Sequence, residues 1–157
     1  MSLELTVYTD GACSGNPGPA GVGGVFYDGD KEIASFSEAI GDATNNIAEY
    51  SALIYALRKA KELKAVSLKI LTDSKLMQQQ LIGQYKVKND QLKMLFEEAQ
   101  KLARQFENVS IQYVPREQNK EADALATGAI KKKKSGQMKV VASAFKNVGE
   151  ESPSSKG

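Results

Sequence analysis

Apolar and polar residues alternate at the start of the chain. Leu3, Leu5 and Val7 interleave with Glu4, Thr6 and Tyr8, the period of two that marks a half-buried strand. The pattern predicts that this strand ends at Asp10 and breaks at once into a turn rich in Gly, Ser, Asn and Pro. Val22, Val25 and Phe26, set among glycines, predict a second strand over Gly21 to Tyr27. Asp28-Gly29-Asp30 is a hairpin signal, and Ile33 and Phe36 mark a third strand over Lys31 to Ala39. The period then changes. Ile47, Tyr50, Ile54 and Leu57 recur at intervals of three and four, with Leu53 and Ala60 widening the stripe, so a helix runs to about Leu63. Thr44-Asn45-Asn46 offers its capping side chains.

Leu68, Ile70 and Leu71 predict a short strand over Ser67 to Thr72, ending beside a second acid, Asp73. Ser74 to Ile82 reads as a helix broken at Gly83, and Gln84 to Asp90 as a polar, basic connection. The spacing of Leu92, Leu95, Phe96, Ala99, Leu102, Ala103 and Phe106 predicts a helix over Gln91 to Phe106. Val109, Ile111 and Tyr113 alternate in a fifth strand over Val109 to Val114, followed by a loop over Pro115 to Asn119. Ala122, Leu125, Ala126 and Ala129 share one face of a last helix, Glu121 to Ile130. The order β-β-β-α-β-α-α-β-α predicts an α/β fold: a five-stranded mixed sheet, its first three strands antiparallel, with helices on both faces. Residues 1–130 form one domain in this reading. From Lys131 the composition shifts to Lys, Ser and Gly, so 131–157 is expected to be a basic tail, partly disordered, with a short strand or extended stretch at 139–145.

Composition narrows the chemistry. The chain has 157 residues, 41% hydrophobic and 25% charged, ordinary for one globular domain. No apolar run is long enough to span a bilayer, and no basic-then-apolar leader opens the chain. The single cysteine, Cys13, cannot form an internal disulfide, which fits a reducing cytoplasm. There is no histidine, so Ser-His and Cys-His catalysis and His-ligated zinc are excluded. A net charge of +2 does not announce a polyanion partner. The run from Lys131 to Lys134 reads as a solvated helix end or as an extension of a nucleic-acid surface.

The acids are the remaining candidates. Asp10 and Asp73 sit at predicted strand ends, Glu49 in the first turns of the long helix and Asp123 at the start of the last helix. Strand ends on one sheet edge and the first turns of packed helices can converge. All-oxygen ligands suit hard cations such as Mg²⁺ or Mn²⁺, and a carboxylate cluster without His or Cys points to phosphoryl chemistry. Each acid also has a bland reading. Glu49 and Asp123 would complement helix dipoles, and Asp73 would cap the helix that begins beside it.

Four motifs then carry a resemblance. Tyr8-Thr9-Asp10-Gly11-Ala12 with Gly15-Asn16-Pro17-Gly18-Pro19-Ala20-Gly21 resembles the first signature of type 1 ribonuclease H. Thr44-Asn45-Asn46-Ile47-Ala48-Glu49 resembles the second, Thr72-Asp73-Ser74 the third and Asn119-Lys120-Glu121-Ala122-Asp123-Ala124-Leu125-Ala126 the fourth. The resemblance implies a ribonuclease H-like fold. It also implies an endonuclease that cuts the RNA strand of an RNA/DNA hybrid with two Mg²⁺ ions, Mn²⁺ able to substitute, leaving 5′-phosphate and 3′-hydroxyl ends. Asp10 would bridge both ions, Asp73 would complete one site, and Glu49 and Asp123 would hold the other ion. Gly11, Cys13, Ser14, Asn16, Thr44, Asn45, Asn46 and Gln79 become candidates for contacts to the hybrid. That suits recognition by groove shape, 2′-hydroxyls and phosphates. The implied protein is a cytoplasmic monomer with no membrane partner and with double-stranded RNA as a second possible substrate.

Two departures from the family pattern stand out. The connection Gly83-Gln84-Tyr85-Lys86-Val87-Lys88-Asn89 is short and lacks Trp, as in compact archaeal and some bacterial members. Lys86 and Lys88 would keep part of the phosphate grip. The loop Val114-Pro115-Arg116-Glu117-Gln118-Asn119 lacks the family's usual histidine. Arg116 or Glu117 would take a related role, and Arg116 is the preferred candidate, acting by binding phosphate or the leaving group because Arg cannot serve as a base. A catalytically silent nucleic-acid-binding module and an integrase-like or resolvase-like nuclease are the competing readings. The intact acids oppose the first, and the motifs around Asn16 and Asn45-Asn46 oppose the second.

Overall fold

The computed structural model describes residues 3–131. Along the chain these form β1 (Glu4–Cys13), β2 (Gly18–Asp28), β3 (Lys31–Ala43), α1 (Asn45–Glu62), β4 (Ser67–Thr72), α2 (Lys75–Leu81), α3 (Asp90–Ala103), β5 (Asn108–Tyr113), a 3₁₀ turn (Arg116–Gln118) and α4 (Lys120–Lys131). The five strands make one mixed sheet in the order β3-β2-β1-β4-β5. β1 pairs antiparallel with β2 and β2 with β3, while β4 runs parallel to both β1 and β5. The predicted element order and fold class are those observed. The tail expectations, including most of the lysine run and the stretch 139–145, lie outside the described residues.

Helices cover both faces. On one face Leu5 and Val7 of β1 and Val22 and Phe26 of β2 join Leu53, Ile54 and Leu57 of α1 in the main core, and Leu92 and Ala99 extend it into α3. On the other face α4 presses its fully buried Ala122, Ala126 and Ala129 against β2. A Cβ on Gly21 would lie 2.4 Å from the Ala126 carbonyl oxygen, and one on Gly23 2.5 Å from the Ala126 nitrogen. Alternation along the strand therefore gives β2 a Val/Phe face toward α1 and a glycine face toward α4.

Three strand bounds differ from expectation. β1 does not end at Asp10 but continues through Cys13, with Asp10 opposite Gly23. β2 begins at Gly18 rather than Gly21, and β3 runs on to Ala43 rather than Ala39, with a register shift at Ala20/Gly21. Glycine-rich sequence reads as turn when only local chemistry is considered. Here Gly11, Gly21 and Gly23 are where helices approach the sheet, and Gly24 is where an aromatic ring does. A Cβ on Gly24 would lie 2.4 Å from the Phe36 ring. The hairpin turn at Gly29-Asp30 is as predicted, with Gly29 at φ +65° in the left-handed region.

The parallel β1–β4 register brings two acids together. Thr9 is paired with Thr72, so Asp10 and Asp73 come next to each other at the same end of the sheet. Tyr113 of β5 pairs with Thr72 and ends at that level too.

Candidate active site

A cleft of about 370 Å³ opens at this end of the sheet, lined by Asp10, Glu49, Asp73, Asp123 and Arg116 together with Gly11, Ala12, Cys13, Asn45 and Tyr113. Asp10 comes from within β1, Asp73 from the step between β4 and α2, Glu49 from the second turn of α1 and Asp123 from the first turn of α4. One carboxylate oxygen from each of Asp10, Glu49 and Asp73 lies within 4.8 Å of the others. Asp10 is only 5% exposed.

The bland readings of Asp73 and Glu49 fail on geometry, whereas Asp123 does lie in the first turn of α4, where it complements the helix dipole. Ser74, not Asp73, caps α2, its side chain accepting from the Met77 amide. Glu49 faces the sheet and accepts from the Gly11 backbone amide at 3.2 Å. That contact depends on Gly11, where a Cβ would fall 2.2 Å from the Ala48 carbonyl carbon and oxygen. The glycine lets α1 approach β1 closely enough for Glu49 to reach Asp10.

Burial and mutual repulsion dominate the electrostatics. Desolvation pushes the Asp10 carboxyl far above its usual range, and the charges of Glu49 and Asp73 and a hydrogen bond with Asp123 push it the same way. Desolvation and then the Asp73 charge raise Glu49, opposed by the Gly11 amide, by a hydrogen bond with Asp10 and by the Arg116 charge. Acids clustered in this way with only one nearby cation in the cleft lining lack compensating positive charge. An all-oxygen donor set of this kind fits a hard divalent cation.

The glycine-rich turn forms the lip of the cleft. Cys13 Sγ–H donates to Asn45 Oδ1 at 2.9 Å, and the Asn45 amide donates to Asn16 Oδ1 at 3.0 Å, tying the turn to the start of α1. Thr44 caps α1 by accepting from the Ile47 amide. Ser14, Asn16, Asn45 and Asn46 are exposed around this lip. Gln79, Lys86 and Lys88 do not line the cleft. Gln79 lies on α2, its amide donating to Gln78 Oε1, and both lysines are exposed in the connection to α3.

Two residues at the site escape sequence reasoning. Tyr113 lines the cleft and is 42% exposed, with Lys75 Nζ 5.7 Å from its ring centroid. Its signal was positional: β5 ends level with β4. Asn119 is buried behind the acids, and its Nδ2 donates to the Thr9 carbonyl and to Asp73 Oδ2. Only its place inside the fourth motif marked it.

Comparison with known proteins agrees with the geometry. A family model described as reverse transcriptase-like matches residues 8–129. A bifunctional protein of Mycobacterium tuberculosis is 43% identical over 130 residues, which are 82% of this chain but 36% of that one. The chain thus spans about a third of that relative's length. The crystal structure of ribonuclease H1 from the archaeon Halobacterium salinarum superposes with a TM-score of 0.80 at 41% identity, covering 82% of this chain and 98% of that one. The LC11 ribonuclease H1, solved in complex with an RNA/DNA hybrid, superposes with a TM-score of 0.78 at 39% identity, covering 82% and 97%. With the sheet order, the acid cluster and these likenesses in agreement, the chain belongs to the type 1 ribonuclease H family.

Proposed function

We propose that this protein hydrolyses the RNA strand of RNA/DNA hybrids. The observation that carries the reading is the convergence of Asp10, Glu49 and Asp73 within 4.8 Å, with Asp123 lining the same cleft. These four acids would hold two divalent cations, Mg²⁺ with Mn²⁺ able to substitute, with Asp10 contributing to both sites. Ions bound there supply the positive charge that stabilises the attacking and leaving oxygens of an in-line displacement. Water adds to phosphorus and the bond to the 3′ oxygen breaks, leaving 5′-phosphate and 3′-hydroxyl ends.

The rest of the chain's work is binding and orientation. Gly11, Cys13, Ser14, Asn16, Asn45 and Asn46 present short amides, hydroxyls and backbone N–H groups along the lip. Donors and acceptors of that reach suit 2′-hydroxyls and phosphates rather than base sequence. The Thr44 hydroxyl accepts within its own helix and keeps its proton to donate to a phosphate. Gln79, Lys86 and Lys88 extend the contact along the duplex away from the acids. Arg116, in the cleft, binds the scissile phosphate or the leaving oxygen. The protein acts as a monomer in the cytoplasm. Among the described residues no helix is long and apolar enough to cross a membrane.

The test is direct. Labelled RNA/DNA hybrid, double-stranded RNA and double-stranded DNA are incubated with the protein in Mg²⁺, in Mn²⁺ and in chelator. Cleavage of the hybrid with either metal and none in chelator is expected. An untouched hybrid, or an Asp10→Asn variant that cuts as well as the parent, sinks the proposal.

A further inference from the structure

We propose that Asn119 is a positioning residue that holds the Asp73 carboxylate in register with the strand carrying Asp10. The inference rests on the proposed hydrolytic site, in which Asp73 is a metal ligand. Asn119 is 1% exposed. Its Nδ2 donates to the Thr9 carbonyl at 2.9 Å and to Asp73 Oδ2 at 3.2 Å. Thr9 immediately precedes Asp10, and Asp73 immediately follows the end of β4. One amide group therefore braces the backbone under Asp10 to the side chain of Asp73. The Asn119 backbone carbonyl also accepts from the Asp123 amide at 3.0 Å, so the same residue fixes the start of the helix that brings in Asp123.

The residue's other half supports this assignment. An asparagine at a helix start ordinarily turns its oxygen to an amide of the first turn. Asn119 does not, and its Oδ1 is buried with no hydrogen-bond partner. A buried acceptor left unpaired is unfavourable, so what this side chain contributes here comes from its donor. Exchanging the two ends of the amide would set oxygen against the Thr9 carbonyl and the Asp73 carboxylate, which fixes the orientation.

A residue that only supports the fold and one that positions a ligand differ in a measurable way. The parent, Asn119→Ala and Asn119→Ser are compared as full chains, below the melting onset of each. Mn²⁺ is titrated into nucleic-acid-free protein by calorimetry, and hybrid cleavage is followed against Mg²⁺ concentration. Asn119→Ala is expected to weaken Mn²⁺ binding and lower kcat, each by about 10- to 100-fold, the scale for losing a group that orients a metal ligand. KM for the hybrid should stay within about twofold, because the brace touches no substrate. Asn119→Ser, which keeps one shorter donor, should fall between the two. An alanine variant with the parent's Mn²⁺ isotherm and kcat, changed only in melting temperature, overturns the proposal. Where alanine does not fold, a serine variant indistinguishable from the parent overturns it equally. A parent that binds Mn²⁺ but leaves the hybrid whole sinks the hydrolytic reading alone, and the isotherms still decide the brace. A parent that binds no Mn²⁺ sinks both.

Discussion

The Gly11 backbone amide donates to Glu49 Oε1 across 3.2 Å, joining residues 38 positions apart in the chain. The bond exists because α1 lies against β1 with no Cβ between them. A methyl at Gly11 would meet Ala48 backbone atoms at 2.2 Å, and backbone has no rotamer to yield. Gly11→Ala should therefore push α1 off the strand. Overpacking of this kind costs about 1–3 kcal/mol or more. Denaturant unfolding should show that loss, and hybrid cleavage should fall with it as Glu49 leaves Asp10. A variant with parental stability and rate would mean the close approach is not needed.

The raised carboxyls give a pH prediction. Glu49 titrates from its ordinary 4.5 up to about 8 in the folded protein, through burial and then the Asp73 charge. Asp10 is raised as well, for the same kind of reason. A carboxyl with a higher folded than unfolded pKa binds more protons when folded, so stability is greatest below the unfolded value and falls as pH rises. In chelator, the melting temperature should decline as pH rises from 3.8, through about pH 8 for Glu49 and on toward about pH 10 for Asp10. Asp10→Asn relieves the cost of burying a carboxyl that must take up a proton on folding, and should raise the melting temperature at neutral pH, on the order of 4 °C for each kcal/mol relieved. The same variant should lose hydrolysis. A pH-independent melting temperature in chelator, or a destabilised Asp10→Asn, would show that burial and repulsion do not raise these carboxyls.

Much of this architecture is legible in local pattern. The spacing of Leu92, Leu95, Phe96 and Ala99 announces α3 because one face of that helix meets the core. The limits of β1 and β2 are not legible, because Gly11, Gly21 and Gly23 carry the marks of a turn while serving as contact points for helices. The four acids stand out by their places at strand ends and helix starts and by the motifs that hold them, but a contact such as Gly11 to Glu49 leaves no periodic trace. In sequence Asp73 is open to a capping role for α2. The fold gives the cap to Ser74 and brings the aspartate beside Asp10 and Glu49. Tyr113 stayed hidden because its role depends on the level at which β5 ends.

Arg116 is exposed on the 3₁₀ turn yet lines the acid cleft, and its charge lowers the Glu49 pKa. If its guanidinium binds the scissile phosphate or the leaving oxygen, Arg116→Ala should lower steady-state turnover by about tenfold, the scale of one charge-assisted hydrogen bond of about 1.5 kcal/mol. Arg116→Lys should recover part of that, because it keeps the charge but not the fork. Unchanged turnover in Arg116→Ala removes the assignment and leaves the position opposite the acids without a cationic role.

The connection from α2 to α3 is held from beneath by a buried glutamine. Tyr50 Oη donates to Gln80 Oε1 at 2.7 Å, and Gln80 Nε2 donates to the Lys86 carbonyl at 3.3 Å. Gln80 is 5% exposed, and Tyr50 neighbours Glu49 on α1. The chain that presents Lys86 and Lys88 is thus pinned to the helix that presents a site acid. If these lysines grip phosphates, replacing both with Ala should weaken hybrid binding and reduce the slope of log affinity against log salt by about 2, close to 1 for each phosphate no longer neutralised. Gln80→Leu should act through the same grip without removing a charge. It unpairs the buried Tyr50 hydroxyl at a cost of about 1–3 kcal/mol and frees the Lys86 carbonyl. Its expected signature is a raised KM for the hybrid with kcat little changed, because the acids stay in place. Salt titrations of binding separate the two mechanisms. The double lysine variant changes the slope, whereas Gln80→Leu weakens binding at every salt concentration with a slope nearer the parent's. A double lysine variant with the parental slope would assign Lys86 and Lys88 to solvent rather than to the hybrid.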